Sequence, residues 1–161
     1  MSARDGGGNC EVYVMDADGS RQRRLARTPD DEFFLAWSPD GQRIAYTTNS
    51  SYDPMIWVMD ADGSEWEQLT SGLFPSWSPE GERIAYTDYF GDATYLAVMN
   101  ADGSGRRSLG ASLIERATGR VYGKEPAWSP DGEHITFASY DDKDNEEIYA
   151  MAPPTARDGP A

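Results

Sequence analysis

Three features of the chain predict an all-β fold assembled from repeated four-stranded antiparallel units. The first is a pentapeptide, WSPDG at 37–41, WSPEG at 77–81 and WSPDG at 128–132, with tryptophans 40 and 51 residues apart. The second is a hexapeptide, MDADGS at 15–20 and 59–64 and MNADGS at 99–104, which alternates with the first. The third is the chemistry between them. RIAYTT, RIAYTD and HITFAS follow the pentapeptides, and VYVMD, IWVMD, LAVMN and IYAMA precede the ADG turns or, for the last, the position of a decayed one. Such alternating β-branched and aromatic runs read as strands. One unit spans about 40 residues, the size of a β-propeller blade.

The elements follow in chain order. Residues 11–16 and 22–25 read as the third and fourth strands of a first, partial blade. Residues 33–69 and 74–109 read as two whole blades. Residues 125–129, 134–139 and 147–151 supply the first three strands of another, which gives 13 strands. In domain terms, residues 1–9 are an N-terminal tail and 10–152 the repeats. The repeats divide into a half blade at 10–28, blades at 33–70 and 73–109, an insertion at 110–123 and a three-stranded blade at 124–152. Residues 153–161 are a C-terminal tail. There Pro153 and Pro154 replace the hairpin turn, and proline cannot donate to a ladder. The most helix-like stretch, 112–120, is short and interrupted by Gly119.

The turns have their own chemistry. Pro39, Pro79 and Pro130 suit the second position of a type I turn, followed by Asp or Glu and then Gly. Asp18-Gly19, Asp62-Gly63 and Asp102-Gly103 mark hairpins.

These residues carry a resemblance. The pattern of MDADGS followed by a strand and then AWSPDG and RIAYT is similar to the repeat of TolB-type β-propellers, bacterial relatives of WD40-like repeats. It extends from about Glu11 to Met151. The resemblance implies four-stranded blades around an axis, usually six of them. It also implies kinship with propellers that bind proteins, gate peptidases or sit on sensors and regulators. A periplasmic or cell-envelope setting follows if the likeness extends to the whole parent protein, and a cytoplasmic one otherwise.

About four blades' worth of strand falls short of six blades. Three closures are open: an arc of a longer protein, a small four-bladed ring, or a homodimer in which each chain completes the ring of the other. An open arc exposes a blade face and sheet edges, which favours self-association.

Composition narrows the functional classes. The 161 residues carry 14 Lys and Arg against 28 Asp and Glu, a formal net charge of -14. That balance disfavours nucleic acid and anionic membrane surfaces as partners. Five Trp, nine Tyr and five Phe argue for a packed chain. With a single cysteine, Cys10, there is no intrachain disulfide framework and no multi-cysteine zinc site. No apolar run is long enough for a membrane span, and the first ten residues hold no apolar signal-peptide core.

Individual residues read as structural. His134, the one histidine, stands in the column of Arg43 and Arg83 and reads as a surface strand residue. The DADGS turns lack the calcium-loop spacing and read as hairpins. The acidic run at 141–147 reads as a solvated loop. Trp37, Trp77 and Trp128 read as packing between blades, and Trp66 as exposed. Cys10 has no basic neighbour to activate it. The sequence calls for no catalytic residue, no metal and no cofactor.

Function is therefore expected on loops. The WSPDG and ADGS turns occupy one end of the blades. The opposite end carries the variable loops 49–54, 88–94 and 140–146 and the inter-blade segments 28–32 and 110–124. The candidate binding residues are Tyr52, Asp53, Asp88, Tyr89, Phe90, Asp92, Tyr140, Asp141 and Asp142. An aromatic and acidic surface of this kind suits a cationic or polar protein or peptide partner. The expected function is that of a non-catalytic binding or scaffold module; the alternative is a gating or sensing propeller of a larger hydrolase or regulator.

Overall fold

The computed structural model describes residues 2–4, 8–26, 28–49, 54–90, 93–109, 124–140 and 145–154. All regular structure among them is β. The first sheet joins β1 (Ser2–Arg4), β2 (Cys10–Val14) and β3 (Arg23–Arg24). The second joins β4 (Asp31–Trp37), β5 (Arg43–Asn49), β6 (Pro54–Asp60) and β7 (Glu67–Ser71). The third joins β8 (Leu73–Trp77), β9 (Arg83–Phe90), β10 (Ala93–Asn100) and β11 (Arg107–Ser108). The fourth joins β12 (Lys124–Trp128), β13 (Ile135–Tyr140) and β14 (Glu146–Met151). Each sheet is an antiparallel meander, paired in sequence order. The first strands β4, β8 and β12 lie side by side, so they form the inner edge of the arc. No helix of the described residues is long and apolar enough to cross a membrane.

Two boundaries differ from the sequence reading. The segment assigned as an N-terminal tail contains β1, with Ser2 opposite Val12 and Arg4 opposite Cys10. Three residues without alternation become a strand only because β2 offers a free edge. In the third sheet the strands run further than expected. Asp88, Tyr89 and Phe90 belong to β9 and pair with Tyr95, Thr94 and Ala93, so most of the loop read at 88–94 is ladder. The insertion at 110–123 and the end of the C-terminal tail lie outside the described residues.

The turns form as their chemistry dictates. Gly41, Gly81 and Gly132 donate their amides to the carbonyls of Ser38, Ser78 and Ser129 at 2.9, 2.9 and 3.0 Å. In the ADGS hairpins the Gly19, Gly63 and Gly103 amides donate to Asp16, Asp60 and Asn100 at 2.9 Å, and the amides of those three residues donate to Ser20, Ser64 and Ser104. This is a type I turn closed by a glycine in the left-handed region, at φ 84, 89 and 78. The Asp18, Asp62 and Asp102 carboxylates accept the amides of Ser20, Ser64 and Ser104 at 2.9 Å. The serine hydroxyls first, and those amide bonds after them, hold all three carboxyls below the usual range.

Packing repeats with the sequence. Ile44, Tyr46 and Met59 of the second sheet face back onto Val12 and Ala26 of the first. Ala45, Ile56 and Val58 face forward onto Trp77, Ile84, Tyr86 and Met99 of the third. Ala85, Leu96 and Val98 of the third face Ile135 and Phe137 of the fourth. A sheet covered on both faces buries both sides of the alternation, which is why RIAYT is apolar almost throughout. Full burial of one such side chain contributes about 1.5–3 kcal/mol.

A cation–aromatic column ties the same interfaces. The Arg43 guanidinium lies 4.7 Å from the ring centroid of Trp77, and Arg83 lies 4.7 Å from that of Trp128. Trp77 also donates its indole N–H to the Ala36 carbonyl at 3.2 Å. Trp37 departs from the packing expected of it: it is 48% exposed, against 6% for Trp77. The described part of the first sheet places no arginine over it.

Candidate functional site

The ladders fix which end of each sheet carries which connection. Asp31 pairs with Asn49 and Asn49 with Pro54, Phe90 pairs with Ala93, and Tyr140 pairs with Glu146. The β5–β6, β9–β10 and β13–β14 connections therefore share one end with the starts of β4, β8 and β12. The repeated WSPDG and ADGS turns lie at the other end.

Of the expected site residues, Asp88, Tyr89 and Phe90 lie on the last turnward positions of β9, and Tyr140 closes β13. Asp88 is half-buried, and its charge acts on the Tyr86 phenol, whose pKa burial first and Asp88 second push up to about 12. Tyr52, Asp53, Asp92, Asp141 and Asp142 lie outside the described residues.

The same end holds residues that the sequence reading missed. Each inner strand breaks its ladder register once, between Phe33 and Ala36, Leu73 and Ser76, and Lys124 and Ala127. Within each break one residue takes a left-handed backbone: Phe34 at φ 54, Phe74 at φ 56 and Glu125 at φ 50. Left-handed backbone at a large non-glycine residue is uncommon and costs of order 1–3 kcal/mol. The bulge turns one side chain per blade out of the alternation at the inner edge. Phe34 and Phe74 meet there with ring centroids 4.1 Å apart, while Phe34 keeps one side exposed. In the fourth sheet the same column holds an exposed glutamate. Glu125 lines a recess of about 350 Å³ together with Ala138, Glu146, Glu147 and Ile148. The signal was present as the third residue before each repeat tryptophan, but Phe, Phe and Glu share no property that marks a bulge.

Beneath this end, between the first two sheets, sits a buried polar cluster. Glu11 and Glu32 are both fully buried. The Arg24 guanidinium donates from Nε to Glu11 Oε2 at 3.0 Å and to the Ala26 carbonyl at 2.7 Å, and from Nη2 to Glu11 Oε1. The Thr28 hydroxyl donates to Glu32 Oε1, while Glu32 Oε2 has no hydrogen-bond partner. Burial first, and the neighbouring Glu11 charge after it, raise the Glu32 carboxyl from 4.5 to about 7, against the opposing pull of Thr28 and Arg24. A proton on Glu32 gives the pair the donor it otherwise lacks.

The remaining chemical groups are occupied structurally. Asp131, Glu133 and His134 bring ligand-type atoms within 4.8 Å of one another, but all three are exposed. The Asp131 carboxylate already accepts the Ser129 hydroxyl at 2.5 Å and the Glu133 amide at 2.9 Å. The Cys10 amide donates to Asp31 Oδ1 at 2.6 Å, which ties β2 to the start of β4.

Consecutive three- and four-stranded antiparallel meanders stacked face to face, with β4, β8 and β12 on a common inner edge, define an arc of a β-propeller. Over residues 1–109 the chain matches the family described as the TolB beta propeller domain. It belongs to that family. It is 37% identical over 60 residues to the Tol-Pal system protein TolB of Thioalkalivibrio sulfidiphilus, a stretch covering 37% of this chain and 14% of that protein. The structure assigned as TolB of Agrobacterium tumefaciens superposes with a TM-score of 0.79 at 22% identity, covering 94% of this chain and 56% of that one. TolB of Acinetobacter baumannii superposes with a TM-score of 0.75 at 22% identity, covering 94% and 36%. The chain thus spans little more than half of one solved TolB-type chain and about a third of the other. Lyase and peptidase propellers share the fold at lower similarity.

Proposed function

We propose that this chain is a non-catalytic binding module that recognises a basic protein or peptide through the loop end of its blades. The observation that carries this reading is the chemistry gathered there. Exposed Glu125, Glu146 and Glu147 stand at the loop end of the fourth sheet, Asp88 at that of the third, and the partly exposed Phe34 ring on the inner edge. Rigid ladders hold these groups, and the connecting residues Tyr52, Asp53, Asp92, Asp141 and Asp142 extend the acidic and aromatic character in sequence. A strongly acidic chain steers a cationic partner to such a rim. Aromatic faces add stacking and cation–π contact. The relatives that carry the name of the Tol-Pal system are system components rather than named enzymes, which supports a binding role.

The test is titration of a fluorescent lysine-rich peptide against the wild type and Asp88→Lys/Glu125→Lys. The double charge reversal is expected to weaken binding by about tenfold or more and to flatten its salt dependence. Unchanged affinity and salt slope would count against the loop end as the binding surface.

A further inference from the structure

The outer edge of the second blade carries an aromatic and acidic patch near its turn end, and we infer that this patch binds an extended protein segment through one arginine set between acidic residues. Trp66 is the anchor. It follows the ADGS hairpin, directly precedes β7 and is 65% exposed. Its ring rests on that of Trp57, with centroids 5.7 Å apart and planes tilted by 52°. Trp57 is fixed in turn by its indole N–H, which donates to the Thr48 hydroxyl at 3.1 Å. The outer ring therefore stands on a rigid support. The repeat does not require an aromatic there. Gln22 and Arg106 hold the same position in the first and third sheets. Gln22 Nε2 donates to the Gly19 carbonyl at 3.1 Å and Arg106 Nη1 to the Thr70 hydroxyl at 3.0 Å. Both close onto groups of the protein itself, whereas Trp66 turns a face outward. The second sheet has a packed neighbour on each side, and the patch lies on its outer strand, away from both contacts.

The chain itself shows what such a ring accepts. The Arg83 guanidinium lies 4.7 Å from the Trp128 centroid while its Nε and Nη2 donate to Glu80 Oε1 at 3.1 and 2.8 Å. An indole face and a carboxylate thus share one guanidinium. Glu65 and Glu67 flank Trp66 and are exposed. Among the described residues neither forms an ion pair, and no arginine lies over the Trp66 ring. The same two acceptors are therefore open to a guanidinium from outside. Arginine fits them better than lysine, because its planar head stacks on an indole while its fork meets a carboxylate. The surroundings restrict the rest of the segment. Arg23 Nη1 donates to the Asp62 carbonyl at 2.8 Å, and Arg106 ends on Thr70. Positive charge thus stands at both ends of this outer strand. A polybasic segment is repelled there, while acidic residues on either side of the arginine are attracted. The patch differs from the loop end in place and in the charge pattern it selects, and it does not rest on the loop-end reading.

The test is an NMR titration of the full chain with the capped peptide EGRGE, and with EGKGE in its place. The indole N–H resonance that is missing from the spectrum of Trp66→Phe is expected to shift with EGRGE, together with the backbone amides of residues 64–68. EGKGE is expected to bind at least about threefold more weakly. Trp66→Ala and Glu65→Gln/Glu67→Gln should each weaken EGRGE by at least about threefold, read from the same amides. All three side chains are exposed, so resonances elsewhere should keep their positions, which checks the fold. Asp88→Lys/Glu125→Lys should leave the EGRGE affinity unchanged. Three results would overturn the inference: a Trp66 resonance that does not move, equal affinity for the two peptides, or a loss in Asp88→Lys/Glu125→Lys as large as that in Trp66→Ala. The last would place the arginine at the loop end.

Discussion

Replacing Glu11 with alanine is expected to lower the unfolding free energy by about 3–5 kcal/mol, the range for removing one partner of a buried ion pair. The change strips the Arg24 guanidinium of its two contacts to the Glu11 carboxylate. It also removes the neighbouring negative charge that helps Glu32 keep its proton. The same cluster sets a pH dependence. The folded state holds a proton on Glu32 up to about 7, whereas the ordinary carboxyl releases it near 4.5. Stability from this group is therefore complete below about 4.5, falls as pH rises through the window to about 7, and is flat above it. The loss is on the order of 3 kcal/mol. The turn aspartates act with the opposite sign. Asp18, Asp40, Asp62, Asp102 and Asp131 are held below their usual range by serine hydroxyls and backbone amides. Their contribution is present above about 4 and is lost in acid. Denaturant unfolding between pH 4 and 8 should thus show a maximum near pH 5 for the wild type. Glu32→Gln should remove the decline between pH 5 and 7; an unchanged decline would assign it to another group.

The second large effect separates two tryptophans with the same sequence signature. Trp77→Ala is expected to cost about 3–5 kcal/mol, because it opens a cavity against Ile84 and Val58, leaves the Ala36 carbonyl without its indole donor, and removes the ring beneath Arg43. Trp37→Ala is expected to cost less than about 1 kcal/mol, in keeping with a side chain that is 48% exposed. Denaturation midpoints of the two variants at equal unfolding slope decide the matter. Equal costs would mean that Trp37 is covered in solution.

This contrast shows what the sequence could and could not say. The blades were legible because each turn is written in local letters: Ser38, Asp40 and Gly41 make their hydrogen bonds within a few residues. The apolar columns were legible because alternation depends on the strand alone. Trp37 was not, because its burial depends on the neighbouring sheet rather than on its own pentapeptide. Strand β1 was missed for a similar reason, since Ser2–Arg4 owes its conformation to the edge of β2. The Glu11–Arg24–Glu32 cluster joins residues from two sheets. Its only trace in sequence is charge in columns that hold Met55 and Gly72 in the next blade.

The candidate site divides along the same line. Repeat geometry placed the variable connections at one end, and the strand registers put Asp88, Phe90 and Tyr140 there. The inner-edge bulges at Phe34, Phe74 and Glu125 were invisible, because left-handed backbone at two phenylalanines and a glutamate is imposed by the ladder and the next blade. Their recurrence at one position in every inner strand makes them part of the scaffold that aims the face.

The most direct measurement of the binding account is amide hydrogen exchange of the chain with and without the lysine-rich peptide. New protection is expected at the loop ends of the strands, in residues 87–90, 93–96, 124–126 and 138–140, with the turns at 38–43 and 60–64 unchanged. Protection confined to those turns, with the loop ends unaltered, would contradict it.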